Sequence, residues 1–214
     1  MEGGSEPNGT DLGFQHLFIE GTDPRTLLLL HGTGGDENQL LELARQLAPE
    51  SALLSPRGKV LEGGVVRRFF KRHGPRDLDV PDLIERTDEM ARFIADARTA
   101  YGFESGRVVA LGYSNGANIA VSLLLRRPEA LAGAVLFRAT LPFDPPSPPP
   151  LRGKRVLVLA GERDPYVPRD RYEALIRVLR EGGADVATRL GPSGHELTMD
   201  DIEEARGWLA GPAT

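Results

Sequence analysis

Cysteine is absent from the 214-residue chain, which removes a thiol nucleophile, a thiolate metal site and a disulfide framework together while leaving the redox compartment open. Long hydrophobic runs are missing too. Apolar stretches such as residues 27–30 fall far short of the ~20 residues a membrane span needs. Residues 1–12 are rich in glycine and acid and hold no apolar signal core, so the expected setting is cytoplasmic. A positive excess is lacking as well. The net charge of −5 argues against a nucleic-acid or anionic-membrane partner, both of which require a positive field. Lysine is scarce, with only Lys59, Lys71 and Lys154 among 26 basic residues. This is read as genomic composition first, since arginine-for-lysine replacement is not a dependable sign of thermophily.

The hydrophobic content of 40% is ordinary for a globular chain, and the length suits one sizeable core. Apolar runs at residues 14–19, 27–30, 52–54, 108–111, 134–137, 156–159 and 186–190 read as strands. Between them lie helical patterns over residues 38–47, 82–101, 117–127 and 169–181, with a last helix taking in 202–209. Strands alternating with helices imply a mainly parallel sheet covered on both faces, with ligands held beyond the carboxyl ends of the strands. Residues 144–150 are too proline-rich to join a ladder and read as a stiff surface connection.

Chemistry gathers at those strand ends. Gly112-Tyr113-Ser114-Asn115-Gly116 lies between an apolar strand and a helix. The pentapeptide alone means little, but in that context it has the form of a nucleophile elbow, a turn tight enough to present the Ser114 hydroxyl above the sheet edge. A serine needs a base. Of the four histidines, His16 lies in an edge strand, His73 in a basic loop and His31 at a strand end, where packing is its simplest role. His195 follows the last strand in a flexible turn. Thr198 is placed to cap the next helix, and Leu197 and Ile202 have hydrophobic-staple spacing that would fix the exit of the loop. Asp164, in a loop stiffened by Pro165 and Pro168, is preferred over Glu162 and Asp170 as the carboxylate that orients the imidazole. The chain order Ser114, Asp164, His195 is that of α/β-hydrolases. Backbone donors for an oxyanion are expected from Asn115, at a helix start, and from Thr33 in His31-Gly32-Thr33-Gly34-Gly35. That glycine loop fits neither a dinucleotide fingerprint, which Glu37 interrupts, nor a phosphate loop, which lacks its Gly-Lys-Ser/Thr.

These segments, with Ser55-Pro56-Arg57-Gly58 and Arg138-Ala139-Thr140-Leu141-Pro142, resemble the carboxylesterase/phospholipase family of α/β-hydrolases over about residues 17–209. The resemblance implies an α/β-hydrolase fold; with no gap between strands long enough for a cap domain, a single domain is expected over residues 14–211 after a flexible segment 1–13. It also implies Ser114, Asp164 and His195 as the triad and Thr33 and Asn115 as oxyanion donors. Thioesterase members carry Gly-Phe-Ser-Gln-Gly where this chain has Tyr113 and Asn115, so it looks closer to the bacterial esterases. The expected activity is hydrolysis of small carboxylic esters through an acyl-serine, with no metal and no cofactor. The alternatives are a lysophospholipase or acyl thioesterase, and, in another class, a non-catalytic ligand receptor on the same fold. A homodimer rests on the resemblance alone. Residues 57–82 form the one long connection on the ligand side, and Val66, Phe69 and Phe70 are expected to face the substrate, with the neighbouring arginines facing water.

Overall fold

A computed structural model describes residues 12–211. The first eleven residues, most of the segment expected to precede the domain, lie outside the described residues. Among the described residues nine strands and five α-helices follow one another: β1 His16–Ile19, β2 Asp23–Leu30, α1 Leu41–Leu47, β3 Ser51–Pro56, β4 Val60–Glu62, β5 Val66–Arg68, α2 Val80–Tyr101, β6 Val108–Tyr113, α3 Asn115–Arg126, β7 Gly133–Phe137, β8 Arg155–Gly161, α4 Arg169–Glu181, β9 Asp185–Gly191 and α5 Met199–Leu209. Seven strands form one sheet in the order β1-β3-β2-β6-β7-β8-β9. Only the edge strand β1 runs antiparallel, against β3. The expected α/β architecture is therefore present.

The sheet is buried on both faces because its strands are apolar at successive positions. In β2, Leu28 and Leu30 enter one core with α2, α3 and α4, while Leu27 and Leu29 enter the other with α1 and α5. That period-2 division is what pleating demands of a strand covered twice. Helix α2 begins where Asp79 caps it, its carboxylate accepting from Asp82 N at 3.0 Å, with Pro81 in the first turn. It ends at Gly102, which adopts φ 76°. Helix α5 carries the expected capping box: Thr198 accepts from Asp201 N, and the Asp201 carboxylate accepts from Thr198 N.

One element escapes the sequence reading. Strands β4 and β5 make a small hairpin, Val60 opposite Arg68 and Glu62 opposite Val66, apart from the main sheet. Its three-residue turn, 63–65, contains Gly63 and Gly64 at φ 60° and 78°, left-handed backbone that glycine adopts without steric cost.

The sheet order places the site. From β2 the chain moves outward to β3, then returns to the other side of β2 with β6 and continues to β9. The reversal lies between β2 and β6, so the loops after these strands diverge and leave a crevice. Helix α3 packs against this point so closely that a Cβ on Gly116 would lie 1.9 Å from the Leu30 carbonyl oxygen. Gly116→Ala is accordingly expected to lower stability by about 2 kcal/mol or more, the range of core overpacking. Gly207, in α5, has no atom within 4 Å of a built Cβ. There the same substitution should add up to about 1 kcal/mol through helix propensity. Urea denaturation of the two variants checks both signs.

Candidate active site

Ser114 sits between β6 and α3 with φ 54° and ψ −111°. Among the described residues, it and Arg138 (φ 58°) are the two non-glycines with positive φ. Such backbone costs of order 1–3 kcal/mol and persists only where its surroundings enforce it. The Ser114 N–H donates to the Phe137 carbonyl at 2.9 Å, tying the turn to the end of β7. Its hydroxyl lies 2.8 Å from His195 Nε2, and His195 Nδ1 lies 2.7 Å from Asp164 Oδ2. Asp164 Oδ1 accepts from Tyr166 N at 2.8 Å and from Val167 N at 3.3 Å. Burial alone would raise the Asp164 carboxyl, but the hydrogen bond from His195 and the two backbone donors hold it below the usual carboxylate value. With Asp164 ionised, Nδ1 carries the ring proton and Nε2 is left to accept from Ser114. Three side chains from separate loops form one proton path.

The Thr33 loop is held from both sides. His31 is buried, with Nδ1 2.7 Å from the Gly32 carbonyl and Nε2 accepting from Gly58 N at 2.9 Å. Its packing role stands, and burial lowers its pKa. Arg57 grips the Glu37 carboxylate with two N–H groups, Ser55 donates to the Glu37 carbonyl, and Gly34 N donates to Arg67 O. Thr33 lines the cleft beside Asn115. As the first residue of α3, Asn115 has a backbone N–H with no intrahelical acceptor. His16 and His73 lie apart from the site. His16 contacts Phe14 O and Tyr101 Oη, and exposed His73 lies 3.6 Å from Asp79.

The expectation that aromatics face the substrate and charges face water is reversed. Phe69 and Phe70 are both buried in the core, and neither they nor Val66 lines the cleft. The cause is local. Phe69 N donates to Asn115 Oδ1, so the chain leaving β5 crosses directly over the start of α3. The Phe69 ring is thereby turned onto His31, 4.4 Å between centroids. Arg68 and Arg72 line the cleft instead. The cleft holds about 530 Å³, and its apolar wall is built from Leu78, Val80, Leu141, Pro142, Val167 and Pro168.

Three residues escaped attention as parts of the site. Arg138, wholly buried at the end of β7, is clamped by the loop that carries His195. It donates to Gly194 O at 3.1 Å, to Ser193 Oγ at 3.2 Å, to Glu196 O and, at 2.6 Å, to Asp201 Oδ2. Tyr113 donates from its hydroxyl to the His195 carbonyl at 3.0 Å, a bond the phenylalanine of thioesterase members cannot make. Tyr166 sets its ring edge against the imidazole, 4.8 Å between centroids. An arginine placed directly after five apolar strand residues is the signal that could have exposed Arg138.

The family model described as phospholipase/carboxylesterase matches residues 19–210, and the chain belongs to that family. It is 43% identical to MhqD of Bacillus subtilis (strain 168), a hydrolase by name, over 91% of this chain and 96% of that protein. A Bacillus cereus carboxylesterase structure superposes with TM-score 0.86 at 42% identity, covering 92% of this chain and 93% of that one. A Mesorhizobium loti carboxylesterase structure gives TM-score 0.86 at 35% identity, covering 95% and 97%.

Asp201 yields a pH prediction. Burial would raise its carboxyl, but Arg138 and the two Thr198 donors outweigh burial and hold it below the ordinary value. Asp164 behaves alike. A depressed carboxylate contributes stability above its unfolded value of about 3.9 and loses it as pH falls through the folded one. Urea midpoints should therefore fall steadily below about pH 4. Asp201→Asn should cost about 3 kcal/mol at neutral pH by leaving Arg138 buried and unpaired, and should flatten the acid slope. An unchanged acid slope would remove Asp201 from this role.

Proposed function

We propose that the protein is a serine carboxylesterase that cleaves small esters through an acyl-Ser114 intermediate. The observation that supports this reading best is the unbroken path Ser114 Oγ–His195 Nε2 and His195 Nδ1–Asp164, 2.8 and 2.7 Å, opening on the cleft. His195 takes the serine proton as Oγ attacks the ester carbonyl, and Asp164 steadies the resulting imidazolium. The backbone N–H groups of Asn115 and Thr33 receive the developing oxyanion. His195 then protonates the leaving alcohol. In the second half it activates water, which releases the acid and restores Ser114.

Ser114→Ala should fold normally and lose ester turnover by roughly 10³-fold or more. Retention of a tenth of the wild-type rate would displace Ser114. Among the described residues no cluster of three or more His, Cys, Asp or Glu side chains is placed to hold a metal, so chelators should leave the rate unchanged. The acyl chain rests on the wall of Leu141, Val167 and their neighbours rather than on Phe69 and Phe70. Each buried methylene contributes about 0.8 kcal/mol until the wall ends. Short-to-medium acyl chains, roughly butyrate to octanoate, should be preferred to palmitate. Higher kcat/KM for soluble palmitoyl esters than for butyryl esters would instead favour the lysophospholipase or thioesterase alternative.

A further inference from the structure

Five arginines line the cleft beside Ser114, and two of them have a carboxylate of their own. Arg138 is spent on Asp201 and the His195 loop. Arg171 pairs with Asp144, and exposed Arg76 donates to the Pro165 carbonyl at 2.8 Å. Arg68 and Arg72 differ, because they share the single carboxylate of Glu62. Arg72 Nε lies 3.1 Å from Glu62 Oε1, while Arg68 Nη1 lies 3.6 Å from Glu62 Oε2, beyond hydrogen-bonding distance. Glu62 Oε2 accordingly has no hydrogen-bond partner. Two cations against one anion leave one unit of positive charge at the cleft wall.

The Arg68 guanidinium is only 4% exposed, so that charge is poorly screened by water. Burial, together with the nearby Arg72 cation, pushes its pKa down to about 10, which still leaves it charged at neutral pH. Nε donates to Phe70 O at 3.2 Å and Nη1 to Thr33 Oγ1 at 2.7 Å. Among the described residues Nη2 makes no hydrogen bond. A second donor stands on the same wall. Asn115 is 2% exposed, and because its Oδ1 accepts from Phe69 N, its amide orientation is fixed and Nδ2 is left buried with no partner.

We infer that Arg68 and Arg72 form a carboxylate subsite, and that the natural substrate is an ester carrying a free carboxylate a few bonds from the scissile carbonyl. This rests on the acyl-serine reading of the site. The excess of one positive charge matches a monoanion, and a guanidinium fork fits a planar carboxylate with two parallel donors. The carboxylate belongs either to the acyl part, as in a dicarboxylic monoester, or to the alcohol part, as in an acylated hydroxy acid.

Two matched pairs separate these sources: monoethyl succinate against ethyl valerate, and O-acetyllactate against sec-butyl acetate, each followed by alcohol or acid release. In at least one pair the charged ester should exceed its neutral counterpart about tenfold in kcat/KM at low salt, the effect of one charge-assisted contact. The advantage should shrink as salt is raised. Arg72→Gln should reduce the charged-to-neutral ratio about tenfold, Arg72→Lys should keep part of it, and Glu62→Gln should raise it. A purely structural role for the trio predicts no rise in Glu62→Gln. Binding of the charged esters to Ser114→Ala protein, read by ligand NMR, should weaken when Arg72→Gln is added. If neutral esters turn over while the ratio stays at or below one and binding ignores Arg72, the carboxylate subsite is wrong and the acyl-serine reading stands. If no ester turns over but charged ligands bind through Arg72, the subsite stands and the acyl-serine reading falls.

Discussion

The site depends on the contact between the start of α3 and the end of β2. Gly116 lies against the Leu30 carbonyl with no room for a Cβ. This close approach carries the chain from β6 into α3 through a turn in which Ser114 must take φ 54°. The same contact sets Asn115 beside the Thr33 loop at the reversal of the sheet order, where the strands leave a crevice. The strained Ser114 backbone, the free helix-start N–H of Asn115 and the crevice beside them are consequences of one packing constraint. Strain of this kind is held in place by the strands packed around it.

A second constraint governs His195. Histidine on a loop after the outermost strand would wander if only its ring were held. Here the loop is fastened by its backbone: Arg138 binds the carbonyls of Gly194 and Glu196, and Tyr113 binds that of His195. Arg163 N and Glu162 N, in the Asp164 loop, donate to Ser193 O and Gly191 O. The loops carrying Asp164 and His195 are therefore fastened to each other. Arg138 keeps its own charge balanced through Asp201, the residue that also caps α5. Buried ion pairs add little net stability, since desolvation offsets their attraction. The value of this one lies in placing His195 within reach of Ser114.

The framework was legible because it is written in local patterns. Strands buried on both faces read as short continuous apolar runs, helices repeat at about 3.6, and Thr198 and Asp201 show their cap by spacing alone. The order Ser114, Asp164, His195 is legible for the same reason, since each residue follows a strand. What could not be read was direction. Phe69 and Phe70 in a long connection look like a substrate wall until Asn115 Oδ1 is seen to capture the Phe69 N–H and turn that ring onto His31. The arginines that look like solvated charge then become the wall. The β4–β5 hairpin was masked because its strands are three residues each, too short for periodicity, although Gly63-Gly64 marks the turn. Arg138 and Asp201 are 63 residues apart, and no local pattern joins them.

The central claim is that Ser114 Oγ becomes acylated during turnover. Acid quench of the enzyme during hydrolysis of a butyryl ester, followed by mass spectrometry of the peptide containing Ser114, reads this directly. The account predicts a butyryl adduct on Ser114 that forms within the first turnover and disappears when substrate is exhausted. A protein that hydrolyses the ester with no adduct on that peptide, or with the adduct on another residue, would contradict it.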